Sequence, residues 1–141
     1  MYITLTKKKM FVIFCAACTT FFILVYFLSV DASGIDLSTN AKRVDYIKTL
    51  GVTLTSDDYT SKNTVIPCEF GAVYNKYNAL QGSAGYDLSR FKGKEVTVYT
   101  YNCKGDKVVN LIVFKDKLIG GDIAETSFGG SMTALKGVKD G

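Results

Sequence analysis

The sequence predicts an α+β domain, in which two helices pack on a small antiparallel β-meander, preceded by one N-terminal transmembrane helix. Residues 10–30 contain no charge, no glycine and no proline, as expected for a helix within a membrane. Apolar residues then recur at helical spacing within residues 41–50 and 70–80, and the period changes to two in the strands that begin at residue 95. Helices followed by consecutive strands with short links are typical of an α+β fold.

The uncharged run at residues 10–30 is long enough to cross a bilayer once. As a helix it extends about 31 Å, close to the hydrocarbon thickness of a membrane. A lysine triplet precedes the run and all 13 acidic residues follow it, so the positive-inside rule places residues 1–9 in the cytoplasm. The sequence therefore predicts a single-pass cell-membrane protein with its domain outside, or a secreted protein if the leader is cleaved near Ala32.

Cys15 and Cys18 have CxxC spacing inside this run, which is compatible with a redox pair, half a metal site or a lipid attachment point. The sequence has no histidine and no second cysteine pair nearby to complete a metal site. A redox CxxC needs a solvated thiolate, and a membrane interior disfavours one. A lipid attachment box ends its hydrophobic run, whereas the apolar sequence here continues to residue 30. Small residues in a membrane helix are the favoured interpretation.

Beyond the leader, residues 31–40 are predicted to form a tether and residues 41–141 an extracytoplasmic α+β domain. From residue 31 onward the chain has 14 basic and 13 acidic residues, so its net charge is +1. A nearly neutral domain offers no electrostatic reason for nucleic-acid binding, so no such partner is expected. The expected partners are the membrane, through residues 10–30, and a protein or a component of the cell wall.

Two helices are predicted in the domain, at residues 40–50 and from Pro67 to about residue 81. Pro67 suits a first helical turn, because the amide hydrogen that it lacks has no partner there. Apolar side chains recur at helical spacing in the first helix, at Ala41, Val44, Ile47 and Leu50. Between the helices, residues 52–55 are predicted as a short strand and residues 56–63 as a loop.

Three further strands are predicted after the second helix, at residues 95–103, 108–114 and 118–124. The links "KGDK" and "KDK" are short enough for hairpin turns, so neighbouring strands are antiparallel. The meander is expected to bury one face against both helices.

Several stretches along roughly residues 41–135 carry a familiar pattern: "RVDYIKTLGVTL", "IPCEF", "VYNKYNALQGSAGYDLSRFKGKEVTVYTY", "NLIVFKDKLIGGDI" and "GGSM". Together they resemble an uncharacterised bacterial family, domain-of-unknown-function family 4830. The resemblance implies a membrane-attached or secreted location in Gram-positive-type bacteria, and it brings no known activity, cofactor or catalytic residue. The chain departs from the family pattern at Cys68, Cys103 and Thr133.

The absence of histidine removes Cys–His and Ser–His nucleophile–base pairs and every histidine-ligated zinc centre. No catalytic residue, metal site or cofactor is predicted. Cys68 and Cys103 are the remaining cysteines, and an even count outside the cytoplasm favours a disulfide between them. A reactive thiol at Cys68, near the predicted start of a helix, is the alternative.

Polar residues and glycines at the second helix and the last predicted strand are candidates for binding. They are Tyr77, Asn78, Gln81, Asp87, Gly120, Gly121 and Asp122. The Gly-Gly-Asp triplet suits an anion or cation site, but paired glycines in a strand more often mark a bulge or a close helix contact. The other four suit a polar pocket, but a capped helix end is the favoured interpretation.

Tyr99 and Tyr101 form an exposed aromatic patch suited to a peptide or glycan if they lie on an uncovered sheet face; otherwise their spacing is typical of a core. The leading hypothesis is a non-enzymatic, membrane-anchored extracytoplasmic domain that binds a protein partner or a cell-envelope component. A small hydrolase or transferase that uses Asp122 and Asp87 or a lysine is the alternative, and a protease-inhibitor-like module is a further one.

Overall fold

The computed structural model describes residues 7–28 and 34–136 of the 141-residue chain, without some of the side chains of residues 11–28. The chain divides into two compact units, Met1–Ser33 and Gly34–Gly141. The first unit contains helix α1, Lys7–Leu28, which covers most of the predicted leader. The predicted cleavage point near Ala32 lies outside the described residues. Among those that are described, no helix is both long and apolar enough to cross a membrane.

The second unit confirms the α+β class. Its elements are α2 (Asn40–Thr49), β1 (Leu54–Val65), α3 (Ala72–Gly82), a 3₁₀ helix (Leu88–Phe91), β2 (Glu95–Cys103), β3 (Lys107–Phe114), β4 (Lys117–Glu125) and β5 (Met132–Ala134). The five strands form one antiparallel sheet in the order β1-β2-β3-β4-β5. The predicted meander is confirmed as β2, β3 and β4, and β1 and β5 extend it on either side.

Residues 34–39, within the segment predicted as tether, pack on this unit. The Leu37 side chain is buried, and its backbone N–H donates to Asp116 O at 2.8 Å. Asp36 forms an isolated bridge with Lys117, at the start of β4. The chain therefore joins the sheet before α2 begins.

Helix α2 matches its prediction, whereas α3 begins later than predicted. Thr39 caps α2 by accepting a hydrogen bond from Lys42 N at 3.3 Å, and the helix ends before Gly51, whose φ is +75°. Pro67 does not start α3, because the preceding residue is still held by the sheet. Ile66 N donates to Lys94 O at 2.9 Å, and Ile66 O accepts from Gly93 N at 2.8 Å.

Strand β1 corrects the prediction of a loop at residues 56–63. The strand runs antiparallel to β2, with Val65 opposite Glu95 and Tyr59 opposite Tyr101. Its register shifts between Leu54 and Tyr59, so residues 55–58 bulge out opposite Asn102. Every residue of β1 after Leu54 is exposed, so neither face carries the alternating apolar pattern that identifies a strand in sequence.

Both faces of the sheet are buried, which corrects the prediction that the two helices share one face. On one face α2 covers a core cluster of Leu37, Val44, Ile47, Leu50, Tyr101, Cys103, Val109, Leu111, Val113, Leu118 and Leu135. On the other face α3 and the 3₁₀ helix cover Ile66, Leu88, Val96, Ile112 and Ile119. Successive side chains of a strand point to opposite faces, so β2 and β3 supply both clusters.

Candidate functional site: the open edge of the sheet

Strand β1 forms an edge of the sheet in the described part of the chain, with β2 as its neighbour. It is 12 residues long, whereas β5 at the opposite edge has 3. A strand at an edge presents a row of backbone donors and acceptors on its outer side. The long edge of β1 is therefore the largest set of backbone groups that the sheet offers to another molecule.

The hydrogen bond from Ile66 N to Lys94 O shows which residues of β1 face outward. Hydrogen-bonded and non-hydrogen-bonded pairs alternate along an antiparallel ladder, and Ile66 lies opposite Lys94 in the same register as Val65 and Glu95. The even-numbered residues from Thr60 to Thr64 therefore bond to β2. The odd-numbered ones, Tyr59, Ser61, Asn63 and Val65, direct their N–H and C=O groups away from it.

The outward groups of residues 59–65 are free within the described residues, since no hydrogen bond from another segment reaches them. The side chain of Asn40 donates to Asp57 O at 3.0 Å, within the bulge, and so marks one end of the open edge. Tyr59 is 44% exposed, and all the other residues of this stretch are also exposed. An extended segment thus has access to seven consecutive residues of the strand.

A buried arginine, which nothing in the sequence singles out, supports this edge from the α2 face. Arg43 is 4% exposed, and its guanidinium carbon lies 3.9 Å from the centre of the Tyr99 ring and 4.9 Å from that of Tyr59. Arg43 Nε donates to Tyr101 Oη at 2.8 Å, and Nη1 donates to Leu37 O at 3.0 Å. These contacts attach α2 to both β1 and β2.

Of the two alternatives for Tyr99 and Tyr101, the structure has the core and not the exposed aromatic patch. Tyr101 is completely buried, and its hydroxyl donates to Asn40 Oδ1 at 2.6 Å while accepting from Arg43. Tyr99 is partly buried beneath the Arg43 side chain. Helix α2 covers the face on which both rings lie, so Tyr59 is the aromatic residue of this group that remains accessible.

Of the polar residues predicted around the second helix, Tyr77 contacts Asp122 of the predicted Gly-Gly-Asp triplet, between α3 and β4. Tyr77 Oη donates to Asp122 Oδ1 at 2.7 Å, and Asn110 Nδ2 donates to Asp122 Oδ2 at 3.0 Å. Thr100 in turn donates to Asn110 Oδ1 at 2.7 Å. Burial raises the pKa of Tyr77, and the neighbouring Asp122 carboxylate raises it further. Asn110 and Thr100 were not predicted as residues of this polar site, because their spacing in the sequence does not distinguish them from other strand residues.

Gln81 and the paired glycines form a close contact between α3 and β4, in line with the structural interpretation of the triplet. Gln81 Oε1 accepts from Gly121 N at 2.8 Å, and a Cβ on Gly120 would stand 2.8 Å from the same oxygen. Among the described residues, Gln81 Nε2 is the one buried side-chain nitrogen or oxygen atom that lacks a hydrogen-bond partner. Glycines at these positions allow the helix to approach the strand.

Asn78 and Asp87 stabilise the turn after α3, as the predicted capped helix end requires, whereas Gln81 bonds to β4 and takes no part in the cap. Asn78 Nδ2 donates to Asp87 Oδ1 at 3.0 Å, and Asn78 Oδ1 accepts from Leu88 N at 2.7 Å. Asp87 also accepts from Ser89 N at 3.0 Å and caps the 3₁₀ helix. The hydrogen bond from Ser89, followed by that from Asn78, lowers the pKa of Asp87.

The two carboxylates named in the enzymatic alternative both serve the fold. Asp87 is exposed and caps the 3₁₀ helix. Asp122 is 3% exposed, and each of its carboxylate oxygens accepts one hydrogen bond. General acid–base chemistry needs a carboxylate within reach of a substrate proton. Asp122 lacks that freedom, and Asp87 uses its Oδ1 as a helix cap. Within the described residues, no cluster of three cysteine or acidic residues has the arrangement of a metal site.

The disulfide expected between Cys68 and Cys103 is not formed, and both are free thiols. Cys68 Sγ lies 3.2 Å from the position of a Cβ on Gly93, just before β2, whereas Cys103 is the last residue of β2. A strand of this length separates its ends by about 26 Å, far beyond the span of a disulfide. Cys68 is exposed and Cys103 is buried, and burial raises the pKa of the Cys103 thiol.

Thiol reactivity should therefore differ sharply between the two cysteines. In the full chain with Cys15→Ser and Cys18→Ser, we expect one rapidly titrated thiol in the native state and two after denaturation without reductant. Cys68→Ser should remove the rapid phase and Cys103→Ala the slow one. Absence of titratable thiol in the denatured, unreduced chain would show that the two are bridged.

No family model, curated protein or solved structure matches this chain. The resemblance to the uncharacterised bacterial family therefore stays a prediction. The fold and the edge define a class nonetheless: an α+β domain with a five-stranded antiparallel sheet, helices on both faces and one long open edge.

Proposed function

We propose that the folded unit binds another polypeptide by adding one of its extended segments to the outer edge of β1. The observation that carries the proposal is the free row of N–H and C=O groups at Tyr59, Ser61, Asn63 and Val65. Strand addition is a common mode of peptide recognition, in which the main chain supplies affinity and side chains supply specificity. The free edge therefore supports binding as the activity of this unit.

The energy available at this edge suits reversible recognition. Each backbone hydrogen bond contributes about 0.5–1.5 kcal/mol net, so the outward groups of residues 59–65 supply only a few kcal/mol together. Side-chain contacts must supply the remaining free energy of binding. Tyr59 offers an exposed ring to an aromatic or β-branched neighbour, and Lys62 offers a cation on the opposite face. The favoured segment thus carries an acidic residue near Lys62.

The edge is also protected against unselective pairing. The bulge at residues 55–58 interrupts the strand, and Asp57, Asp58 and Lys62 place charges along it. Bulges and charged side chains are the features by which natural sheets avoid aggregation at their edges. Free backbone groups combined with this protection favour a selective binding site.

The binding unit is held at the outer surface of a membrane by the N-terminal segment. The proposal is supported by the uncharged sequence of residues 10–30 and by the lysine triplet before it. In α1, Thr19 Oγ1 donates to Ala16 O at 2.9 Å and Thr20 Oγ1 to the same oxygen at 3.0 Å, so both hydroxyls are satisfied within the helix. The binding partner is therefore a polypeptide of the cell envelope.

Replacing Ser61 by proline tests the edge directly. Proline removes one outward N–H and leaves the hydrogen bonds between β1 and β2 intact, so the free energy of unfolding should fall by less than about 1 kcal/mol. Capture of the partner by the tagged full chain from its own membranes should fall at least about tenfold, as measured by quantitative mass spectrometry. The matched control Ser61→Ala keeps the N–H and should capture the partner as well as the unchanged chain.

Proline at the neighbouring position, Lys62, is expected to destabilise the fold itself. The N–H of Lys62 bonds to β2, so Lys62→Pro should cost about 3 kcal/mol of unfolding free energy in urea denaturation. Equal capture by the Ser61→Pro and Ser61→Ala chains would show that the partner does not bind through this edge.

A further inference from the structure

We infer that β1 of a second copy of this chain occupies the edge, so that two five-stranded sheets join into one of ten. The inference rests on the proposed function, because it names the partner of the same edge. The two strands run antiparallel and are related by a two-fold axis that passes through Thr60. A two-fold axis makes the interface self-complementary, as in most homodimers.

The alternation of backbone groups restricts the register of such a pair. Outward residues must face outward residues, so the odd-numbered residues of one copy lie opposite odd-numbered residues of the other. An axis at Thr60 places Tyr59 opposite Ser61 of the second copy, and Ser61 opposite its Tyr59. These pairs exchange about four backbone hydrogen bonds. Pairing ends near Asp57, whose carbonyl already accepts from the Asn40 side chain.

Charge complementarity favours the register with its axis at Thr60 over those with the axis at Ser61 or Lys62. With the axis at Thr60, Lys62 lies opposite Asp58 of the second copy, the bulge residue next to Tyr59, and symmetry repeats the contact, so two opposite-charge pairs form. An axis at Lys62 would place the two lysines opposite each other, which is unfavourable. An axis at Ser61 would leave Lys62 opposite a threonine. Both charged residues are exposed and lie in neither of the two described salt bridges.

The aromatic residue at the edge also fits this arrangement. Tyr59 of one copy becomes a diagonal neighbour of Tyr59 of the other on the α2 face, within reach of an aromatic ring. Tyr59 is 44% exposed and already packs on Tyr99, with 5.5 Å between ring centres. Pairing therefore extends the aromatic cluster across the interface.

The symmetry is compatible with two copies on one membrane. The axis that relates antiparallel strands of one sheet stands perpendicular to that sheet, so the α2 faces of both copies lie on the same side. Leu37 packs on the α2 face, so residue 37 of each copy lies on that side of the joined sheet. Confinement to a membrane raises the effective concentration of one copy for the other and so favours a modest interface.

Register-specific crosslinking tests the inference. In full-length chain with Cys15→Ser, Cys18→Ser and Cys68→Ser, an added Thr60→Cys places two thiols opposite each other at about 4.5 Å between Cα atoms, which suits a disulfide. Oxidation in membrane vesicles should convert most of the chain to dimer. The control Thr64→Cys lies four residues away opposite Ser56 of the second copy and should remain monomeric. Equal crosslinking of the two variants would overturn the register.

Charge exchange provides a second test at exposed positions that do not disturb the fold. In the Thr60→Cys background, Lys62→Glu and Asp58→Lys should each lower the initial crosslinking rate about tenfold, because like charges replace opposite ones. The double variant should restore the rate. A double variant as slow as the single ones would contradict the Lys62–Asp58 pair.

Failure of this inference is distinguishable from failure of the proposed function. If Thr60→Cys stays monomeric while Ser61→Pro abolishes capture of another protein, the edge binds a different polypeptide and self-pairing is wrong. If Ser61→Pro leaves both the Thr60→Cys crosslink and the capture of other proteins unchanged, neither contact uses the backbone of the edge, and both proposals fail.

Discussion

Replacing Gly121 by alanine is expected to destabilise the α+β unit strongly, with a loss of about 4 kcal/mol in the free energy of unfolding. Gly121 has a φ of +152°, and a Cβ there would stand 2.1 Å from Asn110 O and 2.7 Å from Leu135 Cδ1. The first of these atoms is backbone of the paired strand β3, so it moves only if the sheet distorts. Urea denaturation followed by tyrosine fluorescence measures the loss.

The other glycines provide matched controls for this substitution. At Gly120 an added Cβ meets side-chain atoms of Gln81 and Leu88, which are able to shift, so the loss should be smaller than at Gly121. At Gly82, in the last turn of α3, an added Cβ would meet no described atom within 4 Å apart from the adjoining backbone of α3, and alanine should be neutral or stabilising by up to about 1 kcal/mol. An unchanged midpoint for Gly121→Ala would show that β3 and β4 are not in close contact there.

Replacing Arg43 by alanine is expected to cost about 3 kcal/mol of unfolding free energy. The substitution removes the hydrogen bonds to Tyr101 Oη and Leu37 O, removes the guanidinium from the Tyr99 ring, and leaves a cavity beneath α2. Tyr101 keeps its bond to Asn40, which limits the loss. Thermal or urea denaturation of the full chain measures the difference.

The neighbouring Lys42 is the matched control for Arg43. It is also a cation of α2, but its ion pair with Asp36, 2.6 Å long, lies at the surface with both side chains nearly half exposed. Such pairs contribute at most about 1 kcal/mol, so Lys42→Ala should change the stability little. Similar losses for the two variants would contradict the structural role given to the buried arginine.

The sequence predicts those parts of the fold in which one side of an element differs from the other. The side chains of strands β2, β3 and β4 point alternately to the two cores, and α2 carries a narrow apolar stripe between Thr39 and Gly51. The first and last residues of these elements can therefore be predicted from the sequence. The polar residues around α3 also group as predicted, because Asn78 and Asp87 use the capping chemistry of a helix end.

The remaining features depend on contacts that local sequence does not encode. The exposed edge strand β1 has no buried face, so its polar residues resemble a loop. Burial of Arg43 depends on tyrosines more than 15 positions away in sequence, and the burial of Tyr101 depends on α2 covering that face. A disulfide requires proximity across the fold, which an even count of cysteines does not provide.

Residue-specific amide hydrogen exchange of the full chain, at one chain per detergent micelle, tests the open edge most directly. The amides of Thr60 and Thr64 bond to β2 and should exchange slowly. Those of Ser61 and Asn63 point away from β2 and should exchange much faster in the unpaired chain, becoming slow when a second strand is added. Slow exchange at all four positions in the unpaired chain would contradict a free edge on β1.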